Sequence, residues 1–349
     1  MALPNDSLYM RRALDLAALG LGYTRPNPLV GCVVVEPGGT IIGEGYHQQY
    51  GGPHAEVNAL ASVADPALLR TSRVFVTLEP CAHHGKTPPC ADLLIAHGVP
   101  EVIVCNDDPN PLVAGRGLAK LRAAGIQVST GLLAGEGRSL NRRFFTVQEK
   151  QRPYLVLKWA EAADGFLAGP HYQPVQISGP QAQLLTHQWR TEEAAILVGT
   201  RTALHDNPRL SAREWPGPQP TRVIIDKNLA LPPSHHVLDG SQPTIVYTHR
   251  AQASQPNLVY VQLDFAPPSS DLLPAILADL HARQVQSVLV EGGPTVLTGL
   301  LEANVWDEIR VFRSSRPLER GIAAPRLGLR GWQSHERVGA DDLFTYRNR

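Results

Sequence analysis

What the sequence lacks narrows it first. Cysteine is scarce, with four residues in 349. That is too few for a disulfide framework in a chain this long, so metal binding or plain burial is the expected use of the thiols. Neither sign of charge is in surplus, since Lys+Arg and Asp+Glu are both 32. Bulk nucleic-acid binding normally needs a basic excess, so that class is disfavoured; a local basic pocket for one phosphate is not. No apolar run approaches the roughly 20 residues that span a bilayer. The N-terminal MALPNDSLYMRRALDLAALG lacks the order of a signal peptide, because its basic pair follows polar residues inside a helical pattern. A cytoplasmic protein without nucleic-acid or membrane partners is expected. No internal repeat is found, so the second half is not a copy of the first.

What is present is enough apolar material, 43% of residues, to build real cores. The length suits two domains. Leu8, Ala13, Leu16, Ala17 and Leu19 recur at roughly helical spacing, with Asn5, Asp6 and Ser7 available as an N-cap. LVGCVVVEPGGTIIGEGYH reads as a hairpin turning at Pro37-Gly38-Gly39. PHAEVNALASVA then reads as a short helix, RVFVTLE as a buried strand, and PPCADLLIAHGV as a helix opened by proline and closed by glycine. EVIVCND is a further strand and RGLAKLRAAGI a further helix. This alternation predicts an α/β layered domain. The pattern restarts near NRRFFTVQEKQRPYLVLKW, where the charged EKQRP suggests a link. Domains over 1–147 and 152–349 are expected. YLVLKWA, AAILVGT, TRVIIDK, PTIVYTH and SVLVEGG are strand-like in the second, with PGPQP and DFAPPSSD as surface loops.

Three pieces of the first domain belong together: PHAEV, Pro80-Cys81, and PPC ending at Cys90. His54, Cys81 and Cys90 can give zinc three ligands and leave a fourth position for water, as catalytic zinc sites do. Glu56 is then the candidate proton shuttle between that water and a leaving amine. Residues two apart on a regular helix point about 200° away from each other. His54 and Glu56 can therefore share a site only if the histidine sits at the helix mouth, which Pro53 favours. Cys90 also stands at a helix start, where the dipole favours a thiolate. Cys32 and Cys105, inside strand-like runs, read as core. On the residues alone, a structural zinc completed by His83 or His84 and a nucleophilic cysteine stay open as alternatives.

His-x-Glu followed by Pro-Cys and a further Cys resembles the zinc-dependent nucleobase deaminases. Those have two residues between the cysteines, whereas this chain has the eight of AHHGKTPP. With TRPNPLVG upstream and DDPNPLVAGRG downstream, the chain resembles the bifunctional riboflavin-biosynthesis deaminase/reductases over nearly its whole length. The resemblance implies a cytidine-deaminase-like α/β/α first domain and a dihydrofolate-reductase-like α/β second domain. It implies removal of an amino group from a diaminopyrimidinone with a phosphoribosylamino arm, then NADPH-dependent reduction of the ribosyl carbon to a ribityl chain. His54, Cys81 and Cys90 carry over as ligands of one zinc and Glu56 as acid/base. Asn27, His47, His83, Lys86, Asp108 and Asn110 carry over as deaminase pocket residues. Lys86, a compact cation beside Gly85, suits the substrate phosphate, with a solvated lysine as the plain alternative. His84 reads as a surface or neighbouring histidine.

In the second domain, SVLVEGGPTVLTGLL is a buried strand, a Gly-Gly-Pro-Thr turn and a helix start, whose backbone N–H groups can hold a cofactor phosphate. It is not a Gly-x-Gly-x-x-Gly fingerprint, and by itself the pattern is often just a turn. By resemblance, Glu161, Gln176, Thr202, Asp206 and the run Gly293, Pro294, Thr295, Val296, Leu297, Thr298 and Gly299 bind NADPH. Lys158, Asp164, Arg190, Leu210, Arg213 and Glu291 bind the substrate. Gln176 stands where many relatives have tryptophan, and RSSRPLERGIAAPRLGLRG is less apolar than the strand expected there. A homo-oligomer is expected from the resemblance. Two rival functions differ in class: a deaminase of another nucleobase with an unrelated second domain, and a non-catalytic zinc-stapled nucleotide-binding module.

Overall fold

The computed structural model describes residues 5–82, 88–110, 114–264, 272–328 and 331–348. The chain divides into two compact units, Met1–Lys150 and Gln151–Arg349. The first unit runs α1 (Asp6–Ala18), β1 (Gly31–Val35), β2 (Ile41–Tyr46), α2 (Ala55–Ala61), β3 (Arg73–Leu78), α3 (Cys90–His97), β4 (Glu101–Asn106), α4 (Arg116–Ala123), β5 (Gln127–Thr130), α5 (Ala134–Leu140) and α6 (Arg142–Lys150). Its sheet has the order β2-β1-β3-β4-β5. The β1–β2 hairpin and the β1–β3 pair are antiparallel, and β3, β4 and β5 are parallel. Both faces are covered. Ala55, Ala59, Leu94 and Leu121 from α2, α3 and α4 pack with Cys32, Val74 and Val102 on one side. Met10, Ala13 and Leu16 of α1 pack with Val33, Phe75 and Cys105 on the other. The expected α/β/α layering and the core placement of Cys32 and Cys105 are therefore found. Fully burying one leucine, as at Leu94 or Leu121, stabilises the unit by roughly 1.5–3 kcal/mol.

Two local expectations change. Asn5 occupies the N-cap of α1 but makes no side-chain capping bond. Asp6 instead meets Arg73 through two hydrogen bonds at 2.7 and 2.9 Å. EKQRP does hold the boundary between the two units, but its first residues are helical: Glu149 and Lys150 close α6, whose Phe144 and Phe145 are buried, and the chain turns at Gln151 with φ 52°.

The second unit runs β6 (Tyr154–Glu161), β7 (Phe166–Ala168), α7 (Pro180–Glu192), β8 (Ala195–Gly199), α8 (Thr200–Asp206), β9 (Thr221–Ile225), β10 (Thr244–Thr248), β11 (Leu258–Gln262), α9 (Leu272–Ala282), β12 (Ser287–Val290), α10 (Pro294–Glu302), β13 (Glu308–Arg313), β14 (Ile322–Ala323), β15 (Ser334–Val338) and β16 (Asp341–Arg347). Its large sheet has the order β11-β10-β9-β8-β12-β6-β13-β16-β15. The strands from β11 through β13 are parallel, and β16 and β15 close the sheet antiparallel. Strand β12 enters between β8 and β6 late in the chain, so three strand ends from distant sequence lie side by side. Crevices at the carboxyl ends of such strands are where open α/β sheets bind ligands. Ile276, Leu280, Leu297 and Leu300 of α9 and α10 cover one face with Leu155, Leu157 and Val288. Ala182 and Trp189 of α7 cover the other with Val156, Leu289 and Phe312.

Candidate metal centre and active sites

His54 is the N-cap of α2, with extended φ −73° and ψ 165°. This is the helix-mouth position that lets it share a site with Glu56 in the first turn. Gly45 on β2 makes the seat possible, because a Cβ there would lie 2.3 Å from Ala59 N of α2. Cys81 follows β3, and Cys90 opens α3 after Pro89. One ligand atom from each of His54, Cys81 and Cys90 lies within 4.8 Å of the others. Cys90 Sγ and Cys81 Sγ stand 3.3 and 3.7 Å from His54 Nδ1. Tetrahedral zinc with bonds of about 2.0–2.3 Å needs donors about 3.5–3.8 Å apart, so the donor set fits that metal. Cys90 N–H also donates to Cys81 Sγ at 3.3 Å, aiming a helix N-terminus at a thiolate. The hydrogen bond from the Cys90 thiol is the main cause that draws Cys81 downward, and the same bond holds Cys90 up. Glu56, 3% exposed, is pushed up to about 7 chiefly by burial, and it is hydrogen-bonded with Cys90.

A polar relay stands beside this centre. The Pro53 carbonyl can only accept, so His47 donates from Nδ1 at 2.9 Å. Its Nε2 is then the acceptor for Asn27 Nδ2 at 3.1 Å. Burial depresses the basicity of His47, which suits this neutral tautomer. Asn27 and His47 are thereby brought to the residue that precedes His54. Asp108 Oδ1 accepts from Asn110 N–H at 2.8 Å. His83 and Lys86, like His84, lie outside the described residues.

In the second unit, Lys158 on β6, Glu291 after β12 and Arg190 on α7 form the charged centre. Arg190 donates from Nε and Nη2 to the two Glu291 oxygens at 2.9 and 2.8 Å. Burial lowers the basicity of Lys158, opposed by the nearby Glu291. Two cavities adjoin here. One of about 380 Å³ is lined by Lys158, Gln176, Thr202, Asp206, Gly293 and Pro294, among others. The second, of about 490 Å³, shares Lys158, Gln176 and Glu291 and adds Arg190, Leu210 and Arg213. The first closes tightly on Gly293: a Cβ there would lie 2.9 Å from the Thr202 side-chain Oγ1. Gly293 is also the N-cap of α10, so its surroundings fit a dinucleotide phosphate.

Some expected residues are not brought to these cavities. Glu161 is buried, accepting from Trp159 Nε1 at 2.9 Å and Arg313 Nε at 2.8 Å. Asp164 accepts from the backbone N–H groups of Leu318 and Glu319 at 3.1 and 2.7 Å. Along α10 the helical period turns successive residues away. Leu297 enters the core, and Thr298 lines a separate cavity with Ala324 to Gly328. Thr295 is exposed, Val296 packs against the core, and Gly299 lies by Leu273. Gln176 donates to Ser178 O at 2.7 Å.

Other residues at the sites escaped the sequence reading. Asn141 pins Leu29 by two 2.8 Å bonds, one accepted and one donated, and so holds the loop bearing Asn27. Tyr172 stacks on His205 at 5.3 Å and accepts from Arg201 Nη1 at 2.9 Å at the first cavity. Buried His187 lines the second, its Nε2 3.4 Å from Glu214. Glu79, on the shoulder of the metal centre, accepts four backbone N–H bonds. Its place at the end of an apolar strand, directly before Pro-Cys, was the available signal.

Comparison with known proteins accords with this division. Residues 3–106 match the cytidine and deoxycytidylate deaminase zinc-binding region. Residues 153–317 match the RibD C-terminal domain. The chain is 40% identical over 335 residues to riboflavin biosynthesis protein RibD of Aquifex aeolicus (strain VF5), covering 95% of this chain and 93% of that protein. Against RibD of Escherichia coli (strain K12) the identity is 40% over 324 residues, covering 88% and 87%. A solved diaminohydroxyphosphoribosylaminopyrimidine deaminase/5-amino-6-(5-phosphoribosylamino)uracil reductase of Thermotoga maritima matches with TM-score 0.89 at 35% identity, covering 98% of both chains. A solved RibD of Acinetobacter baumannii matches with TM-score 0.89 at 30% identity over all of both chains.

Proposed function

Because the chain belongs to the RibD family of riboflavin biosynthesis proteins, we propose that its first unit deaminates a diaminopyrimidinone bearing a phosphoribosylamino arm and that its second reduces the product's ribosyl carbon. The enzyme is a bifunctional deaminase and reductase of riboflavin biosynthesis, dependent on zinc and NADPH. The observation that carries the first half is the convergence of His54, Cys81 and Cys90 within 4.8 Å, with Glu56 buried beside them.

His54, Cys81 and Cys90 would hold zinc. When bound, the metal supplies a water of lowered pKa and polarises the reacting centre. Glu56 takes a proton from the attacking water at a carboxylate oxygen and delivers it to the departing amine. A C–O bond forms, a C–N bond breaks, and ammonia leaves. Asn27, kept in place by His47, presents its remaining amide groups to the pyrimidine. Asp108 and Asn110 complete the pocket. In the second unit the cradle at Gly293, Thr202 and the α10 N-terminus would hold the cofactor phosphates. Gln176 and Asp206 line the same cavity. NADPH supplies the hydride, so positioning is what the protein must provide. Lys158, Glu291 and Arg213 line the substrate side, where the cationic walls suit a phosphate. The reading extends to a homo-oligomer in the cytoplasm, which light scattering on the purified chain checks for assembly.

The test is metal content with ammonia release on the phosphorylated diaminopyrimidine, followed by NADPH oxidation that depends on the deaminated product. Turnover of cytidine or of adenosine-containing RNA, without turnover of the diaminopyrimidine, defeats the assignment. NADH working as well as NADPH defeats the cofactor half.

A further inference from the structure

We propose that Glu79 is a positioning residue of the deaminase: its carboxylate ties the backbone at Asp108 to the start of α4 at Gly115, Gly117 and Leu118, and so sets where Asp108 and the Asn110 bonded to it stand. The proposal rests on the reading that those two residues contact the pyrimidine substrate.

Glu79 follows the apolar strand β3 and is 4% exposed. A buried carboxylate is costly unless its lone pairs are satisfied. Among the described residues it forms no ion pair. Backbone N–H groups satisfy it instead. Oε1 accepts from Gly117 and Leu118 at 2.9 and 3.3 Å. Oε2 accepts from Gly115 and Asp108 at 3.0 and 3.3 Å. Gly117 and Leu118 lie in the first turn of α4, where a negative charge is favoured. One side chain therefore caps a helix with one oxygen and grips the substrate segment with the other. Helix α4 is seated tightly on the neighbouring backbone, since a Cβ on Gly117 would lie 1.9 Å from Pro80 O. Glu79 N–H donates to Asn106 O at 2.9 Å, which ties it to the end of β4, two residues before Asp108. Cys81 is two residues further on. The strand end that presents a metal ligand thus also dictates the pocket wall, and zinc chemistry by itself asks for no carboxylate there.

The experiment is Glu79→Gln in the full chain, with Asn110→Ala and the double variant. The amide turns an N–H group toward one pair of donors, so one end of the grip is lost. The expected result is a deaminase KM raised about tenfold, kcat within about twofold, and zinc per chain unchanged, with the reductase reaction as internal reference. The double variant should be no worse than the poorer single one, because both act through one wall. A purely structural role would lower the active fraction and leave KM alone, which overturns the proposal. So do fold-changes that multiply in the double variant. If Asn110→Ala raises KM and Glu79→Gln does not, Glu79 is excluded while the substrate reading stands; if Asn110→Ala keeps the wild-type KM, that reading itself fails. Should Glu79→Gln not fold or lose zinc, amide exchange on the unmodified protein decides. The Asp108 and Gly115 N–H groups should exchange at least about 100-fold slower than open-loop amides. Exchange at the open-loop rate overturns the proposal.

Discussion

Removing the guanidinium of Arg190 is the perturbation whose cost the structure defines best. Arg190 grips both oxygens of Glu291 and donates from Nη1 to Ser211 O at 3.0 Å. Each side chain of the pair is 11% exposed. Burial alone would push Glu291 up, but Arg190 first and Lys158 second outweigh it and hold the carboxyl at about 2, against an ordinary 4.5. That difference is worth about 3 kcal/mol at pH 7. Breaking a buried pair by deleting one partner costs about 3–5 kcal/mol. Lys158 remains to share the stranded charge, so Arg190→Ala should destabilise the second unit by about 3 kcal/mol, at the low end of that range. All five tryptophans, at 159, 189, 215, 306 and 332, lie in the second unit, so their fluorescence in a urea titration follows that unit alone. The folded pKa is below the unfolded one. The contribution is therefore full above about 4.5 and drains as pH falls toward 2. The gap between wild type and variant should shrink by about 1 kcal/mol between pH 7 and 3.5. A gap under about 1 kcal/mol at pH 7, or one no smaller at pH 3.5, refutes the reasoning.

Three further outcomes are expected. Glu56→Gln should keep zinc and cut ammonia release by roughly 10²–10⁴-fold; a variant that loses metal in step with activity would make Glu56 a support of the site and not its proton carrier. Stripping zinc with a chelator should abolish ammonia release and leave NADPH oxidation on pre-deaminated product within about twofold; parallel loss of both activities would tie the metal to the second unit. Gly293→Ala places a methyl 2.9 Å from Thr202 Oγ1 and should raise the KM for NADPH at least about fivefold with little change in substrate KM. An unchanged NADPH KM would put the cofactor phosphates elsewhere.

The two halves of the chain differed in how much could be read before folding. In the first, soft ligands are chemically constrained, so His54, Cys81 and Cys90 could be grouped from residue type, and the helix-mouth requirement for His54 followed from the 3.6-residue period alone. Residues that hold the ligands' neighbours had no such mark. Asn141 lies 112 positions from Leu29, and no local pattern announces such a bond. Glu79 was visible only as a charge where a strand should stay apolar. In the second half, family resemblance carried a whole run from Gly293 to Gly299, but a helix shows each side a different residue. The turn at Gly293 reaches the cavity, and Leu297, four residues on, is in the core. Strand β15 escaped because exposed charges fill its middle, and β16 because it opens on two aspartates, the first of them buried.

Both sites are built at strand ends, and the difference in chemistry explains the difference in their construction. Deamination must move protons at a fixed centre, so the first unit gathers a buried acid and three metal donors, with a neutral histidine beside them that holds Asn27. Hydride transfer asks only for two reactants held face to face. The second unit accordingly spends its charge on holding shape. Glu291 is locked by Arg190, and Glu161 and Asp164 are occupied with Arg313 and with the backbone at Leu318. An arginine already gripping a carboxylate can receive a substrate phosphate only by sharing that grip or releasing it. Arg213, half exposed and, among the described residues, ion-paired only with exposed Glu214 at 3.2 Å, can turn toward a phosphate at little cost. Arg213→Ala should therefore raise the reductase substrate KM while leaving the urea midpoint near wild type. Arg190→Ala should lower both stability and affinity; equal losses of stability in the two variants would refute the contrast.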